Sequence, residues 1–129
     1  MNILIVDDKP NLVRVTAIAL RTLGCKAFGA SNSSAATQLM TTEKIDAVFL
    51  DVNLGEENGL DFLSELTGRS KVPVVIFTAH TKDEVVGEAL SRGAFGWLLK
   101  PFTLDDLRQQ LAKIERRHRS PEQSTPPLT

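Results

Sequence analysis

The chain has 129 residues, enough for one domain with a sizeable core, and its 42% hydrophobic and 24% charged content is ordinary for a globular protein. A formal net charge of −1 argues against a dedicated nucleic-acid binder, and no apolar run approaches the roughly 18 residues of a membrane span. The single cysteine, Cys25, excludes an internal disulfide, and the N-terminus lacks a signal-peptide pattern, so a cytoplasmic location is expected.

Residues 3–6 (Ile-Leu-Ile-Val) form a continuous apolar run, the pattern of a strand buried on both faces. Residues 11–23 follow, with Leu12, Val15, Ala19 and Leu23 at helical spacing and Gly24 as the stop signal. Residues 25–30 predict a weaker strand, expected at an edge. Residues 33–42 predict a helix with Ala35, Ala36, Leu39 and Met40 on one face. Residues 46–50 form the second strong strand, followed by a loop over 52–58 and a helix over 59–67.

Residues 72–77 predict a strand, with Pro73 tolerable at its start. Thr81-Lys82-Asp83-Glu84 reads as a capping box for a helix bearing Val85, Val86, Ala89 and Leu90, which Gly93 ends. Residues 95–99 predict a fifth strand. Thr103-Leu104-Asp105-Asp106 can cap a last helix with Leu104, Leu107, Leu111 and Ile114 as its stripe. Strands separated by single helices imply an α/β fold, a parallel sheet with helices on both faces. The final residues differ: 120–129 hold three of the six prolines, a linker composition, just after the basic run Arg116-Arg117-His118-Arg119. The expected division is a domain over 1–117 and a polar tail over 118–129.

The chemistry collects at strand ends. Asp7 and Asp8 follow the first strand and Asp51 the third, so three carboxylates converge at the carboxyl edge, where open α/β sheets place ligands. Two such charges about 4 Å apart repel by roughly 4 kcal/mol at an effective dielectric near 20, and an all-oxygen acidic cluster suits Mg²⁺. Thr78 and Lys100 follow two further strands and join the same edge. Together they form a set for phosphoryl transfer. Asp51 is the candidate nucleophile, and Asp7 and Asp8 the candidate metal holders. The backbone carbonyl of Asn53 is a further metal ligand, and Lys100 and Thr78 are donors to phosphoryl oxygens.

Asp7-Asp8, Asp51, Thr78-Ala79 and Lys100-Pro101-Phe102, in this order, resemble the signature of the receiver domain of bacterial two-component response regulators. The resemblance covers residues 1–117. It implies a doubly wound, flavodoxin-like (βα)5 fold with five parallel strands in the order 2-1-3-4-5. It further implies phosphorylation of Asp51 by a sensor histidine kinase with Mg²⁺ as cofactor, and a cis Lys100–Pro101 peptide. Gly55 stands where the family usually has proline, and Asn58 where it often has aspartate. Trp97 occupies the place of an aromatic residue that rotates on activation, and His80 could tune access of water to the acyl phosphate.

The resemblance implies a signalling switch rather than a turnover enzyme. Phosphorylation would alter the face of the fourth helix, fifth strand and fifth helix and so control an effector, with transcription regulation as the expected output. Residues 77–80, 93–95 and 103–107 are similar to receivers of nitrogen-regulator-type AAA+ activators. A stand-alone receiver in a phosphorelay or acting on a protein target is the alternative. Dimerisation through that same face or through the C-terminal helix is open. An aspartate-dependent phosphatase would need a cap domain for which 129 residues leave no room. A nucleotide- or flavin-binding module would need a glycine-rich turn that the first strand lacks.

Overall fold

The computed structural model describes residues 1–79 and 83–123, with side chains described for residues 1–79 and 84–117. Five strands form one parallel sheet: β1 (Asn2–Val6), β2 (Lys26–Ala30), β3 (Ala47–Asp51), β6 (Val74–Thr78) and β7 (Gly96–Leu99). Between β3 and β6 lie two short strands, β4 (Asn53–Leu54) and β5 (Glu57–Asn58), which pair antiparallel. Five helices connect the strands: α1 (Pro10–Thr22), α2 (Ser33–Thr42), α3 (Gly59–Arg69), α4 (Asp83–Ser91) and α5 (Leu104–Gln123). The sheet order β2-β1-β3-β6-β7 is the expected 2-1-3-4-5 once the hairpin strands are set aside.

Strands β1 and β3 are central, and both faces of each are covered. Ile3, Leu4, Ile5 and Val6 are wholly buried, as are Val48, Phe49 and Leu50. Alternate residues feed two cores. Leu4, Val6, Val48 and Leu50 pack with α2 and α3 through Ala36, Phe62 and Leu63. Ile3, Ile5 and Phe49 pack with α1 and α5 through Leu20, Leu107 and Ile114. Fully burying each such side chain stabilises the fold by about 1.5–3 kcal/mol. Strand β2 lies at an edge, and its exposed Lys26 and Gly29 explain its weak signal.

Helix α1 corrects half of the expected stripe, since Ala19 and Leu23 pack against the core as expected. Its buried residues are Thr16, Ala17 and Leu20, with Val13 partly buried against the same core. Leu12 and Val15, expected inside, are exposed, as is Ile18. The helix is apolar on most sides, so hydrophobic spacing alone admits two phases, and packing on the sheet selects the one with smaller side chains. Leu104 is likewise exposed at the start of α5, whereas Leu107, Leu111 and Ile114 are buried as expected. The capping box at that start is present: Thr103 N–H donates to Asp106 Oδ2 (2.8 Å) and Asp106 N–H to Thr103 Oγ1 (3.1 Å).

The expected loop over 52–58 is instead the β4–β5 hairpin. Gly55 opens its two-residue turn at φ +67°, the pattern of a turn with glycine at its first central position. A proline, with φ fixed near −65°, cannot adopt that conformation. Gly59 begins α3 for a different reason. A Cβ there would lie 2.6 Å from the Val52 backbone, so the helix start packs directly on the chain leaving β3. Helix α5 continues past residue 117 without a break. Among the described residues, no helix is long and apolar enough to cross a membrane.

Candidate functional site

The register sets the level of each candidate residue. Val6 pairs with Leu50, Asp51 with Phe77, and Thr78 with Leu99. Asp7 therefore leaves β1 beside the end of β3, and Lys100 leaves β7 beside the end of β6. Lys100 Nζ stands 2.5 Å from Asp51 Oδ2 and 3.3 Å from Asp7 Oδ2. The other oxygen of each carboxylate accepts a backbone N–H two residues on: Lys9 N–H to Asp7 Oδ1 at 3.0 Å, Asn53 N–H to Asp51 Oδ1 at 2.8 Å. Asp7, Asp51 and Thr78 are buried.

This is a charged cluster in an apolar setting. Lys100 Nζ lies 5.9 Å from the centre of the Phe77 ring, which stacks on Phe102 at 5.0 Å. Burial pushes the Asp7 carboxyl up, the Lys9 N–H and the Lys100 charge oppose it, and the Asp51 charge adds to it, leaving Asp7 above its ordinary range. For Lys100, burial is the largest single influence and acts downward. The hydrogen bond and charge of Asp51, then those of Asp7, outweigh it and hold the ammonium above its ordinary value. Removing Lys100 would leave two buried carboxylates without their shared cation, the costly way to break a buried ion pair.

Asp8 stands apart from this triad. It does not cap α1, whose first turn begins at Lys9 with no side-chain cap. Its carboxylate lies near Lys9 Nζ at 3.5 Å, and a Cβ added to Gly55 would meet Asp8 Oδ2 at 2.8 Å. The turn of the hairpin thus closes on Asp8. Among the described residues, no three acidic, histidine or cysteine side chains form a ready metal cage. The donors still fit Mg²⁺, which keeps several waters and takes one or two carboxylates with phosphate oxygens, rather than an all-protein shell. The oxygens of Asp7, Asp8, Asp51 and the Asn53 carbonyl are of that class.

Thr78 ends β6, and its carbonyl accepts the Lys100 N–H at 2.8 Å. The Lys100–Pro101 peptide is cis. Trp97 is 43% exposed on β7, two strands from Asp51, and its carbonyl accepts the Gln110 side-chain amide at 3.3 Å. His80 and the Thr81–Lys82 half of the expected capping box lie outside the described residues. Sequence reasoning missed two features. One is a groove of about 300 Å³ beside Asp7 and Lys100, lined by Leu12, Val15, Phe77, Pro101 and Phe102. The other is Glu57, whose carboxylate accepts both the N–H and the hydroxyl of Ser33. Only the surplus apolar residues of α1 hinted at the first, and nothing local pointed to the second.

Comparison with known proteins agrees with this geometry. The response regulator receiver domain family matches residues 3–112. The chain is 38% identical over 114 residues to the alginate biosynthesis transcriptional regulatory protein AlgB of Pseudomonas syringae pv. tomato, covering 86% of this chain and 25% of AlgB. It is 36% identical over 106 residues to the regulatory protein AtoC of Escherichia coli, covering 81% of this chain and 23% of AtoC. Among solved structures, NtrX from Brucella abortus superposes with a TM-score of 0.88 at 28% identity, over 95% of this chain and 28% of NtrX. The chain thus spans about a quarter of the length of these regulators. The ordered carboxylates, the lysine between them, the five-stranded sheet order and the family match agree: this chain belongs to the response regulator receiver domain family.

Proposed function

We propose that the domain is a phosphorylation-dependent signalling switch in which Asp51 accepts a phosphoryl group from a histidine kinase. The observation that supports it best is the Lys100 ammonium held against both Asp51 and Asp7 at the ends of separate strands. A carboxylate oxygen of Asp51 attacks phosphorus in line, and the P–N bond of the donor phosphohistidine breaks with its electron pair left on the imidazole. Lys100 turns from the Asp51 carboxylate to the new phosphoryl oxygens, and the Thr78 hydroxyl donates to another. Asp7, Asp8, Asp51 and the Asn53 carbonyl would hold Mg²⁺, which would supply positive charge against the phosphoryl oxygens. The apolar groove between α1 and the Lys100–Phe102 segment suits the kinase surface that presents the histidine.

The output follows from movement at the same edge. A Thr78 drawn toward the phosphoryl group frees space on the β6–β7 side, and Trp97 turns inward from its half-exposed position. The face of α4, β7 and α5 then changes what it binds, including a second copy of the domain. AlgB, which this chain resembles, is named as a transcriptional regulatory protein, so we assign the output to transcription, in the cytoplasm. Residues 1–117 form the receiver and 118–129 the connection to an effector. His80 modulates the lifetime of the acyl phosphate. The protein catalyses only its own phosphorylation and slow dephosphorylation.

Incubation with Mg²⁺ and acetyl phosphate should add one phosphoryl group, read by intact mass. Asp51→Asn should abolish the shift. An undiminished shift in that variant would sink the assignment.

A further inference from the structure

The β4–β5 hairpin makes a separate contact at nearly every residue. Asn53 N–H donates to Asp51 Oδ1 at 2.8 Å. Gly55 backs onto Asp8 so closely that a Cβ would lie 2.8 Å from its carboxylate. Asn58 Oδ1 accepts the Leu60 N–H at 2.9 Å and starts α3. Glu57 reaches across the surface to Ser33, 24 residues away in sequence, and takes both its N–H (2.9 Å) and its hydroxyl.

Two pairs of residues cannot hold a hairpin in register by themselves, since even longer isolated hairpins are marginal in water. Its position depends on what anchors it: Leu54, buried in the core, holds β4, and the contact of Glu57 with Ser33 holds β5. Ser33 is the first residue of α2, where backbone N–H groups lack intrahelical partners and the helix dipole favours negative charge. The Asn32 side chain caps this end by accepting the Ala35 N–H at 2.8 Å, which leaves Ser33 N–H for Glu57. Both bonds to Glu57 are charge-assisted, and the Ser33 hydroxyl and then its N–H hold the Glu57 carboxyl below its ordinary range. Helix α2 is in turn fixed on the sheet by Ala36, wholly buried in the core.

We propose that Glu57 is a positioning residue of the phosphoacceptor site: anchored on Ser33, it holds the hairpin so that Asn53 and Gly55 stay against Asp51 and Asp8. This rests on the Asp51 phosphoacceptor reading and names a residue outside it. Glu57 touches neither carboxylate, and its effect passes through four residues of backbone. Its removal should therefore loosen metal binding more than it weakens the fold.

The test compares wild type with Glu57→Ala, Glu57→Gln and Ser33→Ala. Mg²⁺ binding is measured by calorimetry without a phosphodonor, the Asn53 and Gly55 amides by NMR, and folding by thermal denaturation. Outer contacts to a metal site typically change affinity by 10–100-fold, and a link through backbone belongs at the lower end, so Glu57→Ala should weaken Mg²⁺ binding about tenfold. Its Asn53 and Gly55 amide signals should shift or broaden. Glu57→Gln keeps an acceptor oxygen and should recover most of the affinity, and Ser33→Ala, which keeps the N–H bond, should fall between. Phosphorylation by acetyl phosphate should slow at low Mg²⁺ and recover at saturating Mg²⁺. Mg²⁺ affinity within twofold of wild type in Glu57→Ala, with unmoved Asn53 and Gly55 amides, overturns the proposal. If Glu57→Ala does not fold, unchanged affinity and amides in Ser33→Ala overturn it instead. An Asp51→Asn sample in parallel separates the two ideas. A wild type that takes up no phosphoryl group fails the phosphoacceptor reading, while the calorimetric and NMR arms still judge Glu57.

Discussion

Strands β1 and β3 and helix α1 are all rich in aliphatic residues, and they use them in opposite ways. The central strands bury every side chain from Ile3 to Val6 and from Ala47 to Asp51. Helix α1 buries Thr16, Ala17 and Leu20 and turns Leu12, Val15 and Ile18 outward, Val15 at 62% exposure and Ile18 at 56%. In the strands, apolar character holds the fold together and fixes where the acids at their ends must stand. On the outer face of α1 it does nothing for the core, and it lies beside the groove that leads to Asp7 and Lys100. Leu12 and Val15, lining that groove beside a charged site, suit the kinase contact proposed above. Inside and outside therefore answer to different demands within one helix.

The sharpest way to break that contrast is to truncate both sides of α1. Leu20→Ala should lower stability by about 2–5 kcal/mol, because Leu20 is wholly buried, whereas Val15→Ala should stay within about 0.5 kcal/mol. Urea denaturation reads both, and similar losses would refute the assignment of faces.

Helix α3 offers the same contrast in its glycines. A Cβ at Gly59 collides with the Val52 backbone, and one at Gly68 meets nothing within 4 Å. Gly59→Ala should cost about 2 kcal/mol or more. Gly68→Ala should stabilise by about 0.4–1 kcal/mol, through lower entropy of the unfolded chain. Thermal denaturation of the two variants should move in opposite directions.

The smallest effect is expected from pH at the hairpin anchor. The folded Glu57 carboxyl lies below its unfolded value, so its stabilisation is complete above the ordinary glutamate range near about 4.3 and is lost as pH falls through the lowered folded value. Acid titration of the Ser33 amide by NMR should show release of this contact, and Glu57→Gln should remove the transition. A Ser33 amide that titrates equally in both proteins would show that Glu57 is not the anchor.

How far the sequence could be read follows from the same contrast. A strand buried on both faces needs no phase, so Ile3–Val6 and the acids after each run were legible, and with them the gathering of Asp7, Asp51, Thr78 and Lys100, whereas the sheet order came only with the family resemblance. Helix α1 needed a phase, and in its first half Leu12 and Val15 pointed to the wrong one, because the packed face there carries Thr16 and Ala17. The hairpin was hidden because Glu56, Glu57 and Asn58 lack the alternation of a strand. The Glu57–Ser33 tie was out of reach for a plainer reason: nothing local relates residues 24 positions apart until the chain has folded. Three convergent carboxylates were expected, and the structure shows two around a shared lysine with the third beside the turn of the hairpin.

Helix α5 has a mechanical consequence. It is clamped at its start by the Thr103–Asp106 box and packed down to Ile114, yet it continues to Gln123. At about 1.5 Å per residue, the nine residues beyond Ile114 carry the helix roughly 13 Å past its last buried core residue. A tilt of about 5° in that extension would sweep its far end through about 1.2 Å. Under the switch proposed above, an adjustment around Lys100 would be carried outward along this extension.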